Sequence, residues 1–97
     1  MDFLVEMDIV VPNDYDSSLR EDLITRERAR GMELASEGFF KQAWVVPGRR
    51  SRIHICTAKD AAHFHELFTS LPAYHFTKCN VIPLVECAAD EPIAIEA

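Results

Sequence analysis

An α+β fold with a four-stranded antiparallel sheet is predicted by three observations. Apolar residues alternate along the first segment, two later stretches repeat at helical spacing, and strand-like and helix-like segments follow one another as β-α-β-β-α-β. That order is the split βαβ arrangement of a ferredoxin-like fold. Two helices cover only one face of such a sheet, so the other face, expected to carry Leu4, Val10 and Trp44 or its neighbours, needs a cover. Self-association through the sheet, as in a dimeric α+β barrel, is the expected solution.

The first strand is read from Asp2 to Val11, where Phe3, Val5, Met7, Ile9 and Val11 share one parity and Glu6 and Asp8 interrupt the other. Pro12-Asn13-Asp14 ends it. Ser18 with Glu21 three residues on forms the pattern of a capping box, and Gly38 supplies a stop, so a helix of about five turns is expected between them. Phe39 to Val46 and Ser51 to Thr57 read as a hairpin turning at Pro47-Gly48. A second helix begins near Thr57 or Asp60, carries Ala61, Phe64, Leu67, Phe68 and Leu71 at helical spacing, and is halted by Leu71-Pro72. The last strand runs from about Thr77 to Val85, and Pro83, lacking an N–H, assigns it to a sheet edge. Residues 88–97 read as an acidic C-terminal tail in which Ile93 and Ile95 are candidates for docking on a partner subunit.

A chain of 97 residues supports one core, so residues 1–97 are expected to form a single domain. Hydrophobic content of 48% with 27% charged residues is that of an ordinary globular chain, and no apolar run reaches the roughly 20 residues of a membrane helix. The net charge of −6 argues against nucleic acid as a partner. The opening segment is broken by acids and lacks a basic flank, unlike a secretory signal, and Cys56, Cys79 and Cys87 form no disulfide or zinc pattern. A cytoplasmic location is expected. His63 and His65 point about 200° apart on a helix, so no metal site is expected there.

Glu27 is the residue that departs from pattern. With Leu19 at the origin of a helical wheel, Leu23, Leu34 and Glu27 fall within about 80° of it, which puts a carboxylate on the core side. Burial raises a carboxyl pKa toward the range useful for proton transfer. A half-buried ion pair with Arg26 or Arg30 is the structural alternative. Arg50, Arg52 and His54 share one face of the hairpin's second strand, where guanidinium groups suit a carboxylate. For this cluster the alternative is a solvated turn at the end of a hairpin, the favoured reading for Arg49, while Arg52 is placed inside the strand and fits either. Trp44 reads first as core or interface packing, with a flat surface for a substrate ring as the functional alternative. His75 in its loop, and Glu6 and Asp8 on the first strand, are weaker candidates.

These residues resemble the muconolactone isomerase family over nearly the whole chain. The likeness rests on Phe3-Leu4-Val5-Glu6-Met7 with Pro12 closing the strand, on Glu27, on Glu37-Gly38 followed by Trp44 and Gly48, and on Leu71-Pro72 with aromatic residues after it. The resemblance implies a cofactor-free isomerase of aromatic breakdown by the β-ketoadipate route, turning muconolactone into the enol-lactone of 3-oxoadipate. It also implies assembly of the ferredoxin-like unit through its sheets, to dimers and to a decamer, and a helix-one glutamate, Glu27 here, that takes and returns the proton. Arg50, Arg52, His54 and Trp44 are then the substrate-binding set, with no metal. Two departures from the family pattern are visible: Arg50 and Arg52 stand where a tyrosine and an asparagine are usual, and the usual Leu-Pro-Leu-Phe-Pro-Tyr loop reads Leu71-Pro72-Ala73-Tyr74-His75-Phe76. A non-catalytic binding or assembly protein of the same fold, and a cofactor-free oxygenase of the barrel type, are the competing functions.

Overall fold

The computed structural model describes residues 1–90; Ile93 and Ile95 lie outside the described residues. The elements are β1 (Asp2–Ile9), α1 (Ser17–Ser36), β2 (Phe40–Val45), β3 (Arg52–Thr57), α2 (Ala61–Thr69), a short 3-10 turn (Tyr74–Phe76) and β4 (Thr77–Leu84). This is the expected βαββαβ order. The strands form one antiparallel sheet in the order β2-β3-β1-β4, which leaves β4, with Pro83, at an edge.

Alternation on β1 organises the core. Phe3, Val5 and Met7 are buried beneath the helices with Leu34 of α1, Phe39, Cys56, and Phe64 and Phe68 of α2. The Phe3 and Phe64 rings stack at 4.4 Å between centroids. Residues directly opposite each other on neighbouring strands share a face, and the register sets Cys56 against Phe3, His54 against Val5 and Arg52 against Met7. The helix-side face of β3 therefore runs from buried Cys56 through half-buried His54 to exposed Arg52. Its last two residues sit at the open mouth of the layer between sheet and α1.

The N-cap of α1 is Asp16, two residues before the expected Ser18. Its Oδ1 accepts the N–H groups of Ser18 and Leu19 at 2.9 and 3.2 Å, so one carboxylate satisfies two donors that the helix cannot. Ser18 lies inside the first turn and donates its hydroxyl to the same oxygen. The C-terminal stop is Gly38, as expected: its φ of +86° reverses the chain, and Phe39 N–H returns to the Leu34 carbonyl at 2.9 Å. The buried stripe of α1 is narrower than the wheel implied, for only Leu23 and Leu34 are buried while Leu19 is 54% exposed. A 20-residue helix outreaches the 9-residue α2 beside it, and its first turns have less to pack against.

The hairpin turns at Gly48, whose φ is +75°. A bulge between Phe40 and Gln42 breaks the β2–β3 register: Phe40 pairs with Cys56 on the helix side, whereas Trp44 pairs with Ile53. Trp44 consequently lies on the outer face, together with Leu4, Ile55 and Ile82, and is 48% exposed. Helix α2 is capped by Asp60, which accepts the His63 N–H at 2.8 Å, and it stops just before Leu71-Pro72. Among the described residues no helix is long and apolar enough to cross a membrane.

Candidate active site

A cavity of about 360 Å³ opens between α1 and the helix side of the sheet. Its size lies in the range of small-ligand pockets. Met7, Ile9, Leu23, Ile24 and Leu71 supply apolar walls, and Glu27, Arg28, Arg52 and His54 supply the polar groups. Gly31, one turn beyond Glu27, contributes a stretch of wall without a side chain, and a Cβ built there meets nothing within 4 Å.

Glu27 is half-buried and its partner is a backbone group. Ala73 N–H donates to Glu27 Oε2 at 2.9 Å across the gap between α1 and the loop after α2. The loop makes this possible because its turns consume the neighbouring groups: Tyr74 N–H reaches the Leu71 carbonyl at 3.0 Å and Phe76 N–H reaches the Ala73 carbonyl at 3.0 Å. Arg30 fastens the same loop to α1 by donating from Nε and Nη2 to Ser70 Oγ at 3.0 and 2.9 Å. The ion pairs considered for Glu27 are formed elsewhere. Arg26 binds Asp22 at 2.8 Å, and Arg30 binds Glu33.

Burial pushes the Glu27 carboxyl above the ordinary glutamate range, and the Ala73 N–H offsets part of that rise. The opposite sign holds for His54. Burial, and then the nearby Arg52 charge, hold its imidazole below the ordinary histidine range, so it stays neutral at neutral pH. Its Nδ1 is sealed from solvent with no hydrogen-bond partner among the described residues, and the Phe40 ring packs 4.9 Å away between centroids. Neither Arg28 nor Arg52 has a carboxylate partner among the described residues. The site thus combines one unpaired, partly desolvated carboxylate with two uncommitted guanidinium groups.

The structure brings Glu27, Arg52 and His54 together, and it sets the other two candidates apart. Arg50 lies beyond the start of β3 and lines a neighbouring cleft, meeting Arg52 only at a small shared crevice. Trp44 is on the far side of the sheet, turned away by the bulge. Glu6 faces outward and pairs with Arg49 at 3.2 Å, His75 is exposed beside Tyr74, and His63 accepts the Lys59 N–H at 3.0 Å. Sequence reasoning missed Arg28, Gly31 and Ala73. Arg28 follows Glu27 directly, and an arginine free of any i±3 or i±4 acid was the signal available for it. The Ala73 N–H has no sequence signature at all.

The family model for muconolactone delta-isomerase matches residues 1–90. The chain belongs to that family. It is 31% identical over 88 residues to the muconolactone delta-isomerase of Rhodococcus opacus, covering 91% of this chain and 95% of the relative. Muconolactone delta-isomerase 2 of Acinetobacter lwoffii is 29% identical over 87 residues, covering 90% and 91% of the two chains. The backbone also superposes on a crystal structure of muconolactone isomerase with a TM-score of 0.81, at 22% identity, over 99% of this chain and 98% of that one. Membership of the family makes the chain an isomerase of the muconolactone delta-isomerase type, and the likeness in structure shows the shared fold.

Proposed function

We propose that this protein isomerises an unsaturated lactone bearing a carboxylate, turning muconolactone into the enol-lactone of 3-oxoadipate or acting likewise on a related intermediate of aromatic breakdown. The observation that carries the reading is Glu27: a half-buried carboxylate with a raised pKa and no cation partner, facing a small cavity. Glu27 removes the proton from the ring carbon that carries the side chain. The electron pair left behind spreads through the adjoining double bond onto the lactone carbonyl, forming a dienolate. The same carboxyl then returns the proton two carbons along, next to the carbonyl, and the double bond has moved. No proton or electron is gained or lost, so a single acid–base group completes the cycle.

Arg52 holds the substrate carboxylate by paired hydrogen bonds, and Arg28 offers a second positive charge near the developing dienolate. His54 acts as a neutral donor. With Nδ1 sealed and unpartnered, the tautomer that costs least carries its proton on Nε2, where it can reach the ligand. Copies of the chain associate through the outer sheet face, where Leu4, Trp44 and Ile82 form the apolar patch that supports this part of the proposal. A cytoplasmic setting is supported by the free thiols of Cys56, Cys79 and Cys87.

Proton NMR of muconolactone with the purified protein in deuterium oxide tests the reading. Loss of the starting alkene signals is expected under air and under nitrogen alike, with deuterium entering beside the carbonyl to the extent that the Glu27 carboxyl exchanges its proton with solvent between the two transfers. Unconverted lactone that nevertheless binds would favour the non-catalytic binding protein. Conversion that required air would favour the oxygenase.

A further inference from the structure

Positive charge in this acidic chain gathers beside the catalytic cavity. A polar cleft of about 710 Å³ shares Ile9, Val11 and Ile24 with the cavity and is lined by Arg20, Arg49, Arg50 and Lys78 against the single carboxylate of Asp8. Two of these cations are engaged: Arg20 donates to the Pro12 carbonyl at 2.7 Å, and Arg49 pairs with Glu6 at 3.2 Å. The side chains of Arg50 and Lys78 have no hydrogen-bond or ion-pair partner among the described residues.

A crevice of about 110 Å³ shares walls with both spaces, and those walls are Met7, Ile9, Arg50 and Arg52. Arg52 also lines the catalytic cavity, and Arg50 also lines the cleft. Both guanidinium side chains thus line the same crevice, Arg52 from the cavity side and Arg50 from the cleft side, so one small ligand seated there can be addressed by both. A lactone with a single carboxylate engages Arg52 and leaves Arg50 unused, in a chain whose net charge of −6 otherwise opposes anions.

We propose that Arg50 and the cleft beside it form a second anion subsite, so that the favoured ligand is an unsaturated lactone bearing two carboxylates, one on Arg52 and the other on Arg50. The lactone's identity rests on the isomerase reading, whereas the second subsite is testable by binding alone. Saturated γ-lactones cannot isomerise, and versions with one and with two carboxylates would be titrated calorimetrically into the wild type and into Arg50→Ala and Arg50→Gln variants.

The dicarboxylated ligand should bind the wild type about ten- to a hundredfold more tightly than the monocarboxylated one, as a charge-assisted pair contributes. Either Arg50 substitution should remove most of that preference, with circular dichroism confirming the fold. Equal affinity for both ligands in the wild type would overturn the proposal. An equal loss of both ligands in the variants would also overturn it, by reducing Arg50 to a contributor to the general field. Turnover of the two unsaturated lactones would be measured in parallel. A binding preference that depends on Arg50, with neither lactone isomerised, would uphold the subsite and sink the isomerase reading alone.

Discussion

Ala73 N–H and Glu27 Oε2, 46 residues apart in sequence, meet at 2.9 Å and fix the carboxylate at the wall of the cavity. One oxygen is thereby committed to the backbone while the other has no hydrogen-bond partner among the described residues. Glutamine preserves the acceptor for Ala73 but cannot take a proton. Glu27→Gln is therefore expected to lower isomerisation by at least about a hundredfold, the usual contribution of a general base, with little change in thermal stability. Glu27→Ala should also lose activity, and in addition should cost about 1–3 kcal/mol by leaving the Ala73 N–H without an acceptor. Turnover in deuterium oxide and melting curves on both variants check the pair. A Gln variant that still exchanges protons at the wild-type rate would remove Glu27 from the chemistry.

The raised Glu27 pKa sets a sign for pH dependence. The proposed base role of Glu27 needs the ionised carboxylate, so the acid limb of kcat/KM should fall at a pH above the ordinary glutamate range. For stability, between the unfolded pKa and the raised folded pKa the native state binds more protons than the unfolded chain. Stability contributed at this residue is thus fully present below the unfolded value and declines as pH rises through the window. His54 works the other way: its depressed folded pKa makes the native state lose stability as pH falls through the ordinary histidine range. Glu27→Gln should accordingly gain on the wild type as pH rises through the glutamate window. Urea titrations across pH would measure it, and a constant difference between the two proteins would contradict the assignment.

Arg52→Ala is expected to raise KM about ten- to a hundredfold and to change kcat less. A grip on the substrate carboxylate exists in the ground state and the transition state alike, so its loss falls on binding. Arg52 is exposed and has no ion-pair partner among the described residues, and its removal should leave the melting temperature nearly unchanged. Steady-state kinetics on muconolactone decide the matter. An unchanged KM would return Arg52 to the status of a solvated strand end.

The parts of this molecule that were legible in the sequence are those whose cause is local. Alternation at Phe3, Val5 and Met7, the reversal at Gly38 and the edge position of Pro83 each follow from a residue's own backbone or burial preference, and the structure agrees with all three. The cap moved from Ser18 to Asp16 because two competent side chains stand within one turn and only tertiary placement chooses between them. Arg52 and His54 were rightly put on one face, but the alternation was carried one step too far to Arg50, beyond where β3 begins. Trp44 lies on the outer face, where the two-helix cover of the sheet had placed it, and only its alternative role as a surface for the substrate ring fails; the bulge between Phe40 and Gln42 that sets its facing leaves no residue signature. The partner of Glu27 was illegible for a similar reason, since every non-proline residue carries an N–H.

The outer sheet face predicts assembly. Trp44 is 48% and Ile82 52% exposed on a face that no element of the described chain covers, and such patches are uncommon on proteins that remain single. Light scattering at micromolar concentration should give a mass at least about twice the 11.0 kDa of one chain. Trp44→Glu puts a charge into that face without entering the catalytic cavity, and should shift the mass downward. A wild type that scattered as a monomer would refute the proposed association.

Gly31 offers the most direct test of where the substrate sits. It lies one turn after Glu27 in the same helix, lines the cavity, and has open space where a side chain would begin. In an ordinary helical interior, Gly→Ala stabilises by about 0.5–1 kcal/mol. Gly31→Ala should follow that rule, because its methyl group meets no neighbour. Gly31→Leu should keep much of the same stability, yet its side chain extends into the space beside Glu27 that the ring must occupy. Stability and activity ought then to part: a melting temperature at or above wild type, together with a fall in kcat/KM of about tenfold or more from displaced substrate. Chemical denaturation and turnover measured on the two variants would show it. Full activity in the leucine variant would mean that the lactone does not bind between α1 and β3, and the acid–base role of Glu27 would have no substrate to act on.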